Sequence, residues 1–204
     1  MSSSFFRTYR VLQDGKRIDG IFFMAFIHNG DYHLTRISVY QDGMIDCWEL
    51  VDFEGFKEKV RSGWVVTQPP EGALISVSGL ASFNAVNASY RIDPEELIKD
   101  VADELERLNN RPNSFDRCLD AYKLFQEDPT EEARENLRQA YEAVPKHNRM
   151  FLGDMDVKDI PIRMIIYGEQ EIENWSHRQV ARRQGIEPLP SIKVQKVKSK
   201  GKKS

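Results

Sequence analysis

Residues 18–40 read IDGIFFMAFIHNGDYHLTRISVY, two β-branched and aromatic runs joined by Asn29-Gly30. An Asn-Gly pair supplies the positive φ that a two-residue hairpin turn requires. The same kind of signal occurs before this segment at Asp14-Gly15 and after it at Asp42-Gly43. The spacing predicts an antiparallel meander of four strands. These strands are Thr8 to Leu12, Ile18 to His28, Tyr32 to Tyr40 and Met44 to Leu50.

The second of these strands is apolar on both faces between Ile21 and Ile27, so we expect neighbouring elements to cover it on both sides. A short helix is the natural cover, because Phe53, Phe56 and Val60 recur on one helical face. Three more extended runs follow this helix. Residues 1–92 therefore predict an aromatic-rich β domain, built as an antiparallel sheet or a partly open barrel with one inserted helix.

At Asp93 the hydrophobic period changes from 2 to 3.6 residues. Asp93-Pro94-Glu95-Glu96 carries a capping carboxylate followed by a proline in the first helical turn, which predicts the start of a helix. Two further helices, from about Phe115 to Gln126 and from about Asp128 to Val144, are predicted to form a helical hairpin. A short strand over Pro161–Tyr167 and a last helix over about Glu169–Gln184 complete the prediction.

The fold class that these elements predict is α+β, with an N-terminal antiparallel sheet followed by a helical hairpin region, a short strand and a C-terminal helix. We expect a β domain over residues 1–92, a mainly helical domain over 93–187 and a basic disordered tail over 188–204. These segments carry formal charges of −1, −8 and +6 within a chain total of −3. The total charge argues against a polycation that binds nucleic acid along its whole length.

The cysteine content predicts a protein whose thiols are reduced, and the N-terminal sequence does not have the pattern of a signal peptide. Cys47 and Cys118 are too few for a disulfide-stapled secreted framework. The first residues lack the basic and apolar regions of a signal peptide, and the apolar run from Ile21 to Ile27 is far shorter than the roughly 20 residues of a membrane span. We therefore expect a soluble, cytoplasmic protein that does not enter a membrane.

No motif in the sequence predicts a cofactor or a metal ion. The four histidines include no i, i+4 pair, and there is no Cys-x-x-Cys. His28 and His33 flank the Asn29-Gly30 turn, but cross-strand neighbours at a turn are common and do not imply zinc. The two common glycine-rich nucleotide-binding motifs are absent as well. We expect no cofactor and no metal.

The weak candidates for catalysis lie in the polar stretch between the third predicted helix and the short strand. Asp154, Asp156 and Lys158 belong to the densest acidic set outside the predicted helices, and His147 lies a few residues upstream. Such a mixture is what a metal-dependent hydrolase or nuclease uses. The alternative is a solvated loop whose acids cap the next element, and no catalytic residue is assigned.

Basic residues near the C-terminus are candidates for binding nucleic acid or another anion. They belong to the last predicted helix and to the tail, and they are Arg178, Arg182, Arg183, Lys196, Lys198 and Lys200. Phosphate contact through the tail is one possibility. The others are a solvated helix face near a C-terminus and docking of the tail onto the acidic middle segment of the same chain.

The function that the sequence favours is a non-enzymatic binding or regulatory module acting through protein–protein contacts. The reasons are the absence of a complete catalytic constellation and the abundance of aromatic residues. Two alternatives stay open: a metal-dependent hydrolase or nuclease using the Asp154/Asp156 loop, and a nucleic-acid-associated protein using the tail and the Arg-rich helix. We expect the partner to be another protein, and the sequence leaves the oligomeric state undetermined.

Overall fold

A computed structural model of the chain describes residues 6–86 and 92–198. The chain divides into two compact units after Asn113, called here the first and the second unit. The predicted α+β class, an N-terminal antiparallel open sheet followed by several helices, is confirmed. No helix within the described ranges is long and apolar enough to cross a membrane.

The first unit contains one sheet of eight described strands. They are β1 (Phe6–Val11), β2 (Arg17–Asn29), β3 (Asp31–Tyr40), β4 (Ile45–Asp46), β5 (Leu50–Val51), β6 (Val65–Val66), β7 (Leu74–Val77) and β8 (Ala81–Asn84). The main path is β1-β2-β3-β4-β5, with antiparallel pairing throughout. Strand β6 pairs with β2, while β7 pairs in parallel with β3 and antiparallel with β8.

The predicted turns hold the meander in register. Gly15, Gly30 and Gly43 have φ values of 81°, 79° and 88°, which is the conformation these turns demand of glycine. The fourth predicted strand differs from the structure, because it is split into β4 and β5. The break lies at Trp48, whose φ of 71° cannot continue a strand.

Two helices pack on one face of this sheet. Helix α1 (Phe53–Arg61) begins where the Asp52 carboxylate accepts the Gly55 amide at 2.8 Å. Helix α2 (Pro94–Leu108) begins where the Asp93 carboxylate accepts the Glu95 amide at 2.9 Å. The Asp93 cap is the one predicted above, and each cap satisfies an amide that has no intrahelical partner.

The core of the first unit lies between these helices and the sheet. Phe23, Ala25 and Ile27 alternate along β2 and pack in one cluster with Phe56 of α1 and Val101 of α2. Helix α2 thus belongs to the first unit, so the structure differs from the predicted domain boundary after residue 92. The apolar stripe of α2 has its partner in the sheet, and this sets the boundary after Asn113.

The second unit is mainly helical. Its helices are α3 (Ser114–Glu127), α4 (Glu131–Ala143), α5 (Lys146–Arg149), α6 (Ile160–Tyr167) and α7 (Ser176–Arg183), with a 3₁₀ helix over Glu169–Asn174. Helices α3 and α4 form the predicted hairpin around the buried side chains of Cys118, Phe125 and Leu137. Thr130 caps α4 by accepting the Ala133 amide at 3.1 Å.

The predicted strand over residues 161–167 is wrong, because this segment is helix α6. Its residues are apolar in nearly every position, so a period of 2 and a period of 3.6 cannot be told apart from the sequence. The helix packs against two apolar clusters at the same time. Ile162 and Ile165 pack with the α3–α4 core, while Ile160 and Met164 pack around Trp175.

The predicted last helix is interrupted at Trp175. This residue is extended, with its ring buried and its indole N–H donated to the Asp156 carbonyl at 2.8 Å. Burial of the large ring and satisfaction of its N–H explain why the chain leaves the helical path there.

The tail also differs from its predicted disorder over residues 190–198, a segment called the strap below. It has no regular secondary structure, yet Ile192, Val194 and Val197 pack against the apolar clusters of the second unit. The end of the predicted tail, residues 199–204, lies outside the described residues.

Candidate functional site

The acidic loop before α6 is organised by its own backbone. One carboxylate oxygen of Asp154 accepts the amides of Asp156 at 3.0 Å and Val157 at 2.8 Å. A Cβ at Gly153 would lie 1.6 Å from the carbonyl oxygen of Lys158, so the two ends of the loop are in close contact. The Asp154 carboxylate therefore closes a turn, which is the solvated-loop alternative given by the sequence.

The acid that this region buries is Asp159, and sequence reasoning missed its partner. The Tyr141 hydroxyl donates to the Asp159 carboxylate at 2.6 Å, and both residues are buried. Burial, and then this hydrogen bond, raises the pKa of Tyr141. Tyr141 lies on α4, eighteen residues before Asp159, and no local motif joins the two.

A shallow cavity of about 370 Å³ opens beside this pair, lined also by Lys146, Arg149 and Arg163. Arg149 donates to the carbonyls of Val144 and Glu142 at the end of α4, and its guanidinium lies over the Tyr141 ring at 4.8 Å. Arg163 is paired with Glu171. These two cations thus stabilise the end of a helix and a carboxylate of the same unit.

The predicted catalytic set does not form a metal centre among residues 6–86 and 92–198. No group of three or more His, Cys, Asp and Glu side chains there is placed to hold a metal ion. His147 lies on α5, whereas Asp156 and Lys158 belong to the loop before α6, and the cavity lining includes Lys146 but not His147.

Most of the predicted anion-binding residues make ion pairs within the second unit. Arg178 and Arg182 both pair with Glu173, at 3.1 and 2.7 Å. Lys196 pairs with Glu169 at 2.8 Å and Lys198 with Asp128 at 2.5 Å. Arg183 is exposed at the end of α7, and Lys200 lies outside the described residues. The tail therefore docks on acids of its own chain.

The first unit presents an apolar surface on the sheet face opposite to α1 and α2. Cross-strand neighbours share a face, and the register pairs Phe6 with Phe22, Met24 with Arg36, Phe26 with Leu34 and His28 with Tyr32. These eight residues are called the open face. Its second-strand members alternate with the buried Phe23, Ala25 and Ile27, so they point away from the helices.

Ring contacts organise the open face. Phe6 and Phe22 lie 5.3 Å apart between centroids, and the Arg36 guanidinium lies 4.1 Å above the Phe22 ring. At the other end His28 and Tyr32 stack at 4.5 Å. Phe6 is 57% exposed and Met24 48% exposed. Within the described part of this unit, both helices pack against the other face of β2. The expected cover on both sides of β2 is therefore wrong for the described residues.

Residues 7–112 match a family model described as Domain of unknown function (DUF7638). This match covers more than half of the chain. The chain belongs to the DUF7638 family. Residues 113–188 match a second model, Domain of unknown function (DUF7639). No curated protein and no solved structure matches the chain.

Along the sequence, the boundary between the two family matches lies one residue before the boundary between the two compact units. The DUF7638 match contains nearly all of the open face, with Phe6 just before its first residue. The DUF7639 match ends at Pro188, so the strap follows the region that the second model covers.

The DUF7638 unit has a second aromatic surface at Trp48. Its left-handed backbone is uncommon for so bulky a residue, and the side chain is half exposed. The indole N–H donates to the Thr35 hydroxyl at 3.3 Å, and the ring lies 5.1 Å from His33 and 6.4 Å from Trp64. This cluster explains how the strained turn is retained.

The two histidines beside the Asn29-Gly30 turn point to opposite faces of the DUF7638 sheet. His28 stacks on Tyr32 within the open face, whereas His33 meets Trp48 on the side of the helices. The geometry therefore separates the imidazoles across the sheet rather than converging them on one ion.

Proposed function

We propose that this DUF7638 protein is a non-enzymatic binding module that takes a protein partner on the open face of its sheet. The observation that carries the proposal is the row of aromatic and aliphatic side chains across β1, β2 and β3, with Phe6 and Met24 about half exposed. Contiguous exposed apolar surface on a folded domain is typical of an interaction site. Aromatic residues, methionine and arginine are the residue types enriched at such sites.

The charge on this face defines the chemistry of the partner. Arg36 is exposed, and its guanidinium lies over the Phe22 ring rather than against a carboxylate of residues 6–86 or 92–198. A partner segment that brings apolar side chains to Phe6, Phe22 and Met24 and a carboxylate to Arg36 would complete both interactions. A charge-assisted hydrogen bond to Arg36 would then form beside an aromatic ring, where water is partly excluded.

The two alternative functions receive less support from the described residues. Asp154 closes a turn with its own loop amides, which accounts for its presence without catalysis. Arg178, Arg182 and Lys198 are engaged by Glu173 and Asp128, so their charges are partly neutralised by the chain itself. A protein partner on the open face needs neither group.

The proposal is tested by selecting displayed random peptides against the full chain and measuring the affinities of the enriched sequences. Enriched peptides should combine apolar residues with Asp or Glu. The substitutions Phe6→Ser and Arg36→Glu should each weaken their binding by about tenfold or more, the loss expected of a central contact.

The matched control is Tyr9→Ser. Tyr9 lies on the same strand with a similar exposure of 55%, but it points to the other face. This variant should bind the selected peptides within about twofold of the wild-type affinity. Selection that yields no enriched sequence, or peptides that bind Phe6→Ser and Tyr9→Ser equally, contradicts the proposal.

A further inference from the structure

The strap lays a row of apolar side chains on the second unit. Ile192 and Val194 pack against the cluster of Ile160, Met164 and Trp175. Val194 and Val197 pack against the α3–α4 core. These contacts lie beyond the region matched by the DUF7639 model, which ends at residue 188. The surface under the strap is therefore part of the matched region, while the segment that covers it is not.

Polar contacts hold the strap at both ends. Near its start, the Arg178 guanidinium donates to the Pro190 carbonyl at 3.3 Å. At its end, the Lys198 amide donates to the Pro129 carbonyl at 2.8 Å and its ammonium pairs with Asp128. Lys196 pairs with Glu169 between these points. The surface thus recognises an extended segment with alternating apolar and cationic residues.

An apolar cavity of about 240 Å³ continues from the point where the strap ends. Its lining shares Asp128 with the Lys198 ion pair and includes Leu124, which is 62% exposed. Ala121 and Ala133 form the rest of its apolar wall, with Glu132 beside them. The sequence after Lys198 is Ser-Lys-Gly-Lys-Lys-Ser, which contains no apolar side chain. None of residues 199–204 is therefore suited to fill this apolar cavity.

We propose that the surface under the strap is a docking site for an extended segment of a partner protein, which competes with the strap. The partner segment carries apolar residues in the places of Val194 and Val197 and a cation in the place of Lys198. One further apolar residue, just after that cation, enters the Leu124 cavity. This last contact gives the partner an advantage that the strap lacks, and it offsets part of the high effective concentration of a tethered segment. The proposal is independent of the open face.

The test uses the full chain and two fluorescent peptides, residues 190–204 and the same peptide with Lys200→Leu. Binding is followed by fluorescence anisotropy. The natural peptide should bind weakly, because the tethered strap competes with it. The Lys200→Leu peptide should bind about tenfold more tightly, as burial of one leucine side chain predicts.

Substitutions in the full chain show which residue is responsible for the tighter binding of the Lys200→Leu peptide. Leu124→Lys should abolish the advantage of the Lys200→Leu peptide. Leu119→Lys should preserve it, because Leu119 lies on the same helix and is exposed but does not line the cavity. Two peptides of equal affinity for the wild-type chain, or a gain that survives Leu124→Lys, would overturn the proposal.

A second pair of variants tests the competition. Lys198→Glu in the full chain places a negative charge beside Asp128, so the strap should be held less tightly and both peptides should bind several-fold more tightly. Lys193→Glu makes the same charge change at an exposed residue and should leave both affinities unchanged. An affinity unchanged by Lys198→Glu would overturn the competition. A chain that self-associates without peptide, and that Leu124→Lys returns to monomer, would assign the surface to the tail of a second copy and overturn the partner assignment.

Discussion

In the first unit the sheet face away from α1 and α2 keeps Phe6 and Met24 about half exposed, whereas in the second unit the strap lays Val194 and Val197 onto the helices. Both surfaces combine apolar side chains with charge. In the second unit Glu169 and Asp128 are matched by lysines of the strap. In the first unit Arg36 has an aromatic ring as its neighbour. The difference shows which surface the described chain covers by itself and which it leaves exposed, and the exposed one is the surface that we propose for a partner.

The largest expected effects are losses of stability that are confined to the core of one unit. Phe56 and Phe125 are both fully buried, one in each unit. Phe56→Ala and Phe125→Ala should each lower the unfolding free energy of their own unit by about 3–5 kcal/mol, because each leaves a large cavity. Chemical denaturation of chains that keep Trp64 or Trp175 as their single tryptophan would measure the two effects by fluorescence. Equal losses at both tryptophans from either variant would contradict two separate cores.

The loop before α6 should respond as a structural turn. Gly153→Ala forces a Cβ against the Lys158 carbonyl and should destabilise the second unit by about 3 kcal/mol. Asp154→Ala removes the acceptor for two amides and should cost about 1 kcal/mol. Asp156→Ala, in the same loop, is the control and should have little effect. Thermal unfolding of the three variants measures these losses of stability. A reversed order of the losses would contradict the structural role of the loop and favour a catalytic one.

The buried Tyr141–Asp159 pair should stabilise the second unit by about 1–3 kcal/mol, because Tyr141→Phe leaves a buried carboxylate without its donor. The raised pKa of Tyr141 means that the native state retains the phenolic proton more tightly than the unfolded chain. Its contribution is therefore complete below about pH 10, the ordinary pKa of tyrosine, and is lost as the pH rises through the native value.

Denaturant titrations from about pH 9 to about pH 11 would measure this dependence. The gap in unfolding free energy between wild type and Tyr141→Phe should narrow with rising pH. A gap that is constant or widens over this interval would refute the assignment of the proton to the pair.

The smallest expected effects sharpen the contrast between the two surfaces. Val197→Ser removes a contact that the chain makes with itself and should lower the stability of the second unit by about 1 kcal/mol. Phe6→Ser changes a residue that is 57% exposed and should alter stability by about 0.5 kcal/mol or less. Differential scanning calorimetry of the two variants compares them. Equal losses would mean that the open face serves the fold rather than a partner.

The local signals of the sequence were sufficient for much of the first unit. The glycines of the hairpin turns and the carboxylates at Asp52 and Asp93 act through neighbours a few residues away, so their roles are visible without the fold. Helix α6 is different, because its apolar residues satisfy two clusters and carry no distinguishing period. Its helical state is decided by tertiary packing.

The candidate surfaces depend on contacts that the sequence does not encode locally. The aromatic residues of β2 were visible, but their exposure depends on which face α1 and α2 take. Tyr141 meets Asp159 across eighteen residues, and Lys198 meets Asp128 across seventy. The split strand at Trp48 likewise follows from a left-handed residue that composition does not predict.

The open face can be tested most directly by cysteine labelling. The native Cys47 and Cys118 are buried, and burial raises the pKa of Cys118 to about 12, so both should react slowly with a maleimide. A Met24→Cys variant should react as fast as a Tyr9→Cys variant in the free protein. A peptide selected on the wild-type chain should slow Met24→Cys by about tenfold and leave Tyr9→Cys unchanged. A Met24→Cys that fails to react in the free protein, or equal protection of both positions, would contradict the account.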